Sequence, residues 1–255
     1  MEFISKTFQG LEDILADELR NTGARNVTPA RRAVYFSGDK STLYRINYLS
    51  RFSVSVLSKI AGFSIRDEND LYRKSLDIGW DSYMSPSDTI SVSAVVDSGI
   101  FRHSGFAGLK LKDAIADYFR KKSGIRPSVD RESPDIIVNL HISGSSVTVS
   151  LDSSGEPLFK RGYRKGTGPA PLNEVLAAAV IRLSGWNTND ILIDPMCGSG
   201  TILMEAVMNA SSMPAGYFRK SYGFMRWKDY DEALFDEIKK SSNKAIKVPE
   251  DIRVK

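Results

Sequence analysis

The stretch "ILIDPMCGSGTILMEA", residues 191–206, constrains the fold of this chain more than any other. An apolar run ends at Asp194, two closely spaced glycines follow, and apolar residues then recur at helical spacing. We expect "ILID" to be a parallel strand buried on both faces. The helix "TILMEAVMNA" should then face the sheet with Ile202, Leu203, Ala206 and Val207. Strand, turn and helix in this order begin a doubly wound α/β fold, whose ligand site lies at the carboxyl end of the strand.

The glycine spacing discriminates among nucleotide-type ligands. A phosphate-binding loop has four residues between its glycines and then Lys-Ser/Thr, which is absent here. A dinucleotide-binding turn has a third glycine where this chain has Leu203. An acid at the strand end suits a ligand with a cationic group, and glycines leave room for an amino-acid moiety and adenosine. The pattern therefore predicts S-adenosylmethionine, and a tight turn without any ligand is the alternative.

Composition excludes several other classes of site. The single cysteine, Cys197, rules out an internal disulfide and a cysteine-cluster zinc site, and two histidines leave little for other metal chemistry. We therefore expect no metal. Neither histidine is near Cys197 in sequence, so a small turn residue is favoured over a nucleophile. No apolar run is long enough to cross a bilayer and no signal peptide is evident, so we expect a cytoplasmic protein without membrane contact.

Basic residues are clustered, although the formal net charge is only +4. Eight Lys/Arg stand against three Asp between Arg102 and Arg131. A second cluster, "LFKRGYRKGTG", surrounds Tyr163. Basic residues interleaved with an aromatic suit a phosphate backbone with an exposed base nearby. The alternative is a solvated helix face followed by a charged linker.

Three units follow one another along the chain. The first alternates strands ("EFISKTF", "AVYFSG") with helices, one over "GLEDILADELRNTG" and one over "STLYRINYLS" opened by its serine. The second has the helix "GLKLKDAIADYFRKKSG", closed by Gly124, and a hairpin of "DIIVNLHI" and "SVTVSLDS". A Gly/Pro/Ser-rich junction precedes the helix "PLNEVLAAAVIRLSGW". The inward face predicted for that helix is Leu172, Val175, Leu176, Ala179, Val180 and Leu183.

"DPMCGSGT", preceded by "RGYRKGTGPAPLNEVLAAAVIRLSGW", closely resembles the THUMP-domain RNA methyltransferases. The likeness is greatest to the bacterial enzymes that methylate the exocyclic amine of a guanine in 23S ribosomal RNA, and it extends upstream through "GLEDILADEL" and "FAGLKLKDAIADYFR". It implies an α/β chain of three domains. These are an N-terminal ferredoxin-like domain over 1–65, an RNA-binding THUMP domain over 66–155 and, after a linker over 156–170, the start of a Rossmann-like methyltransferase domain over 171–255.

The resemblance also assigns cofactor residues. The helix start at Pro171 and Leu172 matches a segment that closes over the methionine end of S-adenosylmethionine in these enzymes. Asn173 and Glu174 are either polar contacts there or an ordinary first helical turn. The family's first cofactor motif falls on Asp194, Pro195, Met196, Cys197, Gly198, Ser199, Gly200 and Thr201.

The chain departs from the family in its last part. Amino-methyltransferases use an Asn/Asp/Ser-Pro-Pro-Tyr/Phe motif, and no Pro-Pro pair occurs in this sequence. Roughly ninety residues follow the linker, whereas a doubly wound domain of six or seven strands needs about thirty residues for each βαβ unit. We expect an incomplete methyltransferase domain, cut from a longer chain rather than completed by a second polypeptide. The catalytic residues should then lie beyond Lys255, and this chain alone should not catalyse methyl transfer.

These features predict a guanine-N2 methyltransferase acting on 23S ribosomal RNA. An RNA-binding module without activity and a transfer-RNA methyltransferase are the alternatives, and the oligomeric state is open. The aromatic-rich segment 211–245 is predicted to pack rather than to contact RNA. The predicted RNA contacts are Arg102, His103, Lys110, Lys112, Arg126 and Arg131 in the THUMP region, with Lys160, Arg161 and Arg164 after it.

Overall fold

The computed structural model describes residues 1–164, 166, 171–247 and 253–254. The chain forms two compact units. The first unit comprises Met1–Val56, Glu156–Ser221 and Asp231–Lys255, and the second comprises Leu57–Gly155 and Tyr222–Tyr230. Lys165 and residues 167–170 of the predicted linker lie outside the described residues, as do residues 248–252 and Lys255.

The first unit begins with a small α/β sandwich. Strands pair antiparallel in the order β2-β3-β1, and Leu15, Ala16 and Leu19 of α1 are buried. β2 was not predicted, because its sequence RNVTPA has no apolar alternation and all its side chains are at least partly exposed. The elements are β1 (Glu2–Lys6), α1 (Glu12–Asn21), β2 (Arg25–Ala30), β3 (Ala33–Ser37) and α2 (Lys40–Leu49).

Helix α2 begins two residues earlier than the sequence pattern indicated. Asp39, rather than the predicted Ser41, is the N-cap, and its carboxylate accepts from the backbone N of Thr42 at 2.7 Å. The Thr42 hydroxyl accepts in turn from the backbone N of Asp39, at 3.4 Å. A carboxylate satisfies the first free N–H groups of a helix as well as a serine does, so local sequence did not distinguish the two residues.

The second unit is a five-stranded sheet with helices packed on it. Its strands follow the order β4-β8-β7-β5-β6, in which β5 is parallel to β6 and β7 while β8 is antiparallel to β4 and β7. The predicted β7–β8 hairpin and the end of α4 at Gly124, with φ 74°, are confirmed. The elements are β4 (Ser55–Ser64), α3 (Glu68–Leu76), β5 (Thr89–Asp97), α4 (Ser104–Ser123), β6 (Ser128–Val129), β7 (Ile136–Ser143) and β8 (Ser146–Asp152).

Three helices complete the first unit: α5 (Glu174–Ser184), α6 (Thr201–Ala210) and α7 (Glu232–Asn243). α5 packs on α6, and α7 packs on α2 through edge-on contacts of Phe235 with Tyr44 and Tyr48. Within the aromatic-rich segment, Tyr222 and Phe224 are buried in agreement with the packing interpretation, whereas Tyr217 and Phe218 stay about 40% exposed.

The buried face of α5 differs from the predicted one. Val175 and Ala179 are buried as expected, but Leu172, Val180 and Leu183 are 40%, 50% and 68% exposed. Ala177, Ala178 and Ile181 are buried instead. The helix carries apolar residues on nearly every side, so spacing alone could not say which stripe meets a neighbour.

The run "ILID" is also less buried than predicted. Leu192 alone forms a parallel bridge, to Val254, and Ile191 and Ile193 are 53% and 63% exposed. The expectation of burial on both faces is wrong for the described residues, because no full strand pairs with this run there. In α6, Ala206 is buried as predicted, and Ile202, Leu203 and Val207 are half-buried.

Candidate functional site

The turn before α6 is shaped by its two glycines. Gly198 and Gly200 have φ of 52° and 71°, and the backbone N of Gly200 donates to the carbonyl oxygen of Cys197 at 2.7 Å. Positive φ is strained for residues with a Cβ. Among the described residues, a Cβ at either glycine would meet no atom within 4 Å, so the turn leaves room there for a ligand.

The acid that opens the turn is half-buried. The Oδ1 atom of Asp194 accepts from the backbone N of Met196 at 3.2 Å. Pro195, Met196 and Cys197 are exposed, Met196 to 90%. The Sγ atom of Cys197 lies 3.9 Å from the carbonyl oxygen of Gly198, as suits a turn residue.

Hydroxyl groups at the start of α6 connect the turn to Arg164. The Oγ1 atom of Thr201, a residue 3% exposed, accepts from Nη2 of Arg164 at 3.0 Å and lies 3.2 Å from Oγ of Ser199. The same Nη2 donates to the carbonyl oxygen of Leu172 at 2.6 Å. The structure thus brings Leu172, Ser199 and Thr201 together around Arg164, which the sequence had placed among the RNA contacts.

The first turn of α5 shows the roles of Asn173 and Glu174, for which the sequence left two interpretations open. Asn173 is the N-cap, and its side chain accepts from the backbone N of Val175 at 2.9 Å. Oε1 of Glu174 lies 2.9 Å from Nε of Arg164. Burial raises the pKa of Glu174, and the positive charge of Arg164 opposes that shift. Asn173 is therefore a helix cap, and Glu174 is the ionic partner of Arg164.

A cleft of about 430 Å³ opens beside the turn. Residues of α6 and of the segment around Tyr163 and Arg164 line it. The Leu172 carbonyl oxygen accepts from the cleft residue Arg164, and the neighbouring Pro171 is exposed. The residues that line the cleft are Tyr163, Arg164, Gly166, Ser199, Gly200, Leu203, Met204 and Val207.

A buried charge cluster lies one turn further along α6, and no local sequence pattern indicates it. Glu205 is 1% exposed, and its Oε1 lies 3.4 Å from Nε of Arg161 and accepts from the hydroxyl of Tyr163 at 3.3 Å. Its Oε2 lies 3.8 Å from Nη1 of Arg51. Burial, aided by the nearby carboxylates, raises the pKa of Tyr163.

Arg161 was predicted to contact RNA, and the structure corrects that prediction. The residue is 2% exposed, and its guanidinium donates to the backbone carbonyl oxygens of Arg51, at 2.6 Å, and Leu158, at 3.0 Å. A fully buried arginine offers no surface to a phosphate. Its neighbour Lys160 is exposed and pairs with Glu156 at 2.6 Å.

The remaining basic residues lie in the second unit. Arg102, Arg126 and Arg131 are exposed, as is His103, the N-cap residue of α4. A groove of about 450 Å³ between α4 and β5 is lined by Lys112 and Arg131, together with Ser104, Gly108 and Leu109.

Lys110 and Lys112, both on α4, have different surroundings. Nζ of Lys110 lies 5.5 Å from the ring centroid of Phe106, whose side chain is 42% exposed, and Lys112 pairs with Asp113 at 2.7 Å. Lys112 and Arg131 thus line the groove, whereas Lys110 lies on another side of α4, with its Nζ 3.5 Å from Oδ1 of Asn69.

Membrane-spanning helices and metal sites are the other features that the sequence analysis addressed. No described helix has both the length and the apolar character needed to cross a membrane. Within the same residues, no group of three or more His, Cys, Asp or Glu side chains is arranged to hold a metal ion.

Three known domain families match this architecture in succession. Residues 2–57 match the RlmL ferredoxin-like domain, residues 65–152 the THUMP domain, and residues 161–251 the RMKL-like methyltransferase domain. The fold and the glycine turn thus agree with a chain that carries a THUMP domain followed by a methyltransferase-type domain. The chain is thus similar, domain by domain, to proteins that join an RlmL-type ferredoxin-like domain, a THUMP domain and an RMKL-like methyltransferase domain, which confirms the resemblance seen in the sequence.

Individual relatives agree with the domain matches. The chain is 38% identical over its full length to the ribosomal RNA large subunit methyltransferase K/L of Photobacterium profundum, of which it covers 36%. It is 40% identical to slr0064 of Synechocystis, a protein assigned as an RNA methyltransferase, over 92% of this chain and 62% of that one. The chain thus spans about a third to three fifths of the length of these relatives.

A solved structure shows the same architecture. SMU.472, a protein assigned as a methyltransferase and solved in complex with SAH, is 26% identical to the chain. The likeness covers 98% of this chain and 66% of that one, with a TM-score of 0.85.

Proposed function

We propose that the protein is an S-adenosylmethionine-dependent RNA methyltransferase and that the turn from Asp194 to Thr201 binds the methionine side of the cofactor. The observation that carries the proposal is the geometry of Gly198 and Gly200. Both adopt positive φ, and both border open space at the start of a helix. The SAH bound to SMU.472 and the family match over residues 161–251 support the same ligand.

Different residues of this chain would contact different parts of the cofactor. Asp194 places a carboxylate at the end of the apolar run, where a cationic ligand group is favoured. The turn gives close access to the backbone, and we infer from the Arg164–Leu172 bond that Pro171 and Leu172 close over the methionine end of the cofactor. The bound cofactor would supply an electrophilic methyl group, and the protein's part is to hold that group in line with the accepting amine.

We infer that the accepting group is the N2 amine of a guanine in 23S ribosomal RNA. The family resemblance of the sequence and the name of the Photobacterium profundum relative support this substrate. The RNA would dock on the basic face of the second unit. The residues proposed to contact the RNA are Arg102, His103, Lys110, Lys112, Arg126 and Arg131, together with the exposed Lys160 of the first unit.

Methyl transfer from labelled S-adenosylmethionine tests this proposal. The whole protein is incubated with 23S ribosomal RNA and, separately, with transfer RNA, and the modified nucleosides are separated. Label in N2-methylguanosine from 23S RNA is the expected result. Label found in transfer RNA alone would overturn the proposed substrate. RNA binding without any methyl transfer would instead show that the protein is an RNA-binding module.

The cofactor site is tested separately with Gly198→Val, which puts a branched side chain into a turn residue with φ 52°. We expect weaker binding of S-adenosylhomocysteine, measured by calorimetry. Equal affinity in both proteins would exclude the glycine turn as the site.

A further inference from the structure

We propose that Arg164 is a positioning residue of the cofactor site, which fixes the glycine turn relative to the segment before α5. The inference rests on the proposed function of the turn. The guanidinium of Arg164 contacts Thr201 on one side, and Leu172 and Glu174 on the other. It therefore joins the two stretches of backbone that would border the methionine side of the ligand.

The bond to Thr201 acts on the turn itself. Thr201 is the first residue of α6, and its hydroxyl lies within hydrogen-bond distance of both Arg164 and Ser199. Ser199 stands between the two glycines. Glycine backbone samples far more conformations than other residues do, so a turn with two glycines needs contacts from outside to hold one shape. The Arg164–Thr201–Ser199 series supplies such a contact.

The other side of Arg164 is anchored by charge. Its Nε lies 2.9 Å from the Glu174 carboxylate, which is 7% exposed, while Arg164 itself is 16% exposed. Its Nη2 reaches the Leu172 carbonyl oxygen at 2.6 Å. The planar guanidinium donates from Nη2 to both Thr201 and Leu172 while its charge lies beside Glu174, whereas a lysine ammonium is a point charge on a flexible stem.

Two substitutions separate positioning from mere support of the fold. Thr201→Val keeps the size of the buried side chain and leaves Arg164 with Glu174 and Leu172, but it removes the hydroxyl between Arg164 and Ser199. Arg164→Lys keeps the positive charge next to Glu174 but loses the planar guanidinium and its N–H donors. Both variants should keep the wild-type fold, which circular dichroism and thermal unfolding check.

Arg219 provides a matched control. It too is an arginine that donates to backbone carbonyl oxygens, those of Glu156 and Pro157, at 2.6 and 2.9 Å. These contacts lie in the first unit and involve none of the residues of the glycine turn. Arg219→Met therefore reports what the loss of comparable bonds does to the protein in general.

The experiment measures S-adenosylhomocysteine affinity of the whole protein by calorimetry. Loss of one hydrogen bond to a charged group should raise Kd about tenfold in Thr201→Val and in Arg164→Lys. Arg219→Met should leave Kd within about twofold of the wild-type value. The double variant, which carries both Thr201→Val and Arg164→Lys, should have about the same Kd as the weaker-binding single variant. Both substitutions break the same series of bonds, so their effects should not add.

The outcomes are distinguishable. Wild-type affinity in Thr201→Val and Arg164→Lys, with Gly198→Val weakened, would overturn the positioning role and leave the proposed cofactor site intact. Additive losses in the double variant would overturn the coupling of Arg164 to Thr201. Failure of the wild-type protein to bind S-adenosylhomocysteine would overturn both proposals.

Discussion

Arg161 and Glu205 form an ion pair inside the first unit, with Nε and Oε1 3.4 Å apart and the side chains 1% and 0% exposed. Nη2 of Arg161 also donates a hydrogen bond to the backbone carbonyl oxygen of Arg51, just after α2, at 2.6 Å. The pair therefore connects the N-terminal sandwich to α6, the helix that starts at the glycine turn. A buried charge is tolerated when it is paired and hydrogen-bonded, and it becomes costly once its partner is lost.

Replacement of Arg161 should therefore destabilise the protein strongly. We expect Arg161→Met to lower the free energy of unfolding by about 3–5 kcal/mol, since the cationic partner left to Glu205 among the described residues would be Arg51, at 3.8 Å. Urea denaturation followed by circular dichroism measures the change. The adjacent Lys160→Met is the control, and loss of its exposed pair should cost about 0–1 kcal/mol. Equal effects of the two substitutions would contradict the burial of Arg161.

The glycine turn gives a prediction that separates strain from binding. Gly200→Ala forces an alanine to φ 71° where its Cβ meets no atom of the described residues within 4 Å, so backbone strain of about 1–2 kcal/mol is the expected cost. Gly185→Ala at the end of α5 is matched to it, because Gly185 has φ 72° and equally open surroundings. Denaturation should show similar losses for both variants.

Cofactor affinity should distinguish these two alanine variants. We expect weaker S-adenosylhomocysteine binding in Gly200→Ala and wild-type affinity in Gly185→Ala, since Gly185 lies outside the cleft lined by Ser199 and Gly200. Calorimetry measures both. An equal loss in the two variants would mean that strain in the fold, rather than the turn itself, governs binding.

Local sequence patterns predicted much of this structure. The turn "PMCGSG" and the start of α6 follow from glycine spacing and helical periodicity, which are properties of neighbouring residues. The end of α4 at Gly124 follows in the same way. The glycine turn could therefore be located from local sequence alone.

Features that depend on distant partners could not be predicted in this way. Arg161 and Arg164 stand in one basic run, yet Arg161 is buried against Glu205 and Arg164 is bonded to Thr201. Their partners lie 44 and 37 residues away. A run of positive charge has the same appearance in sequence whether it meets RNA or buried carboxylates, and only the tertiary fold decides. The buried stripe of α5 was missed for the same reason.

The basic face of the second unit predicts a measurable salt effect. Replacing Lys110 and Lys112 together by glutamine should weaken RNA binding and reduce the slope of log K against log salt by about 1.4–1.8, since each phosphate contact contributes about 0.7–0.9. Filter binding at several salt concentrations measures the slope. The control is the same change of charge at Lys239 and Lys240 on α7, which should leave the slope unaltered. An unchanged slope in the Lys110 and Lys112 variant would show that these two residues do not contact the RNA phosphates.

Asp70 predicts how the second unit responds to acid. Hydrogen bonds from the side chain and backbone N of Arg66, with the charge of Arg73, hold the pKa of Asp70 at about 2, below its ordinary value of 3.8. A carboxyl whose pKa is depressed by folding stabilises the folded state above pH 3.8, and that contribution is lost as pH falls through 3.8 toward 2. Asp70→Asn cannot lose a charge in this range. The stability of the wild-type protein should therefore exceed that of Asp70→Asn at pH 6, and the difference should shrink between pH 4 and pH 2.

Asp81 provides an independent check of the same linkage. Hydrogen bonds from Lys122 and Tyr118 hold its pKa at about 2, so Asp81→Asn should show the same convergence with the wild-type protein in acid. Urea denaturation midpoints taken at half-unit steps from pH 6 to pH 2 measure both variants. A difference that stays constant down to pH 2 would show that the two aspartates stabilise the fold through their hydrogen bonds and shape alone. It would then contradict a stabilising role of their charge.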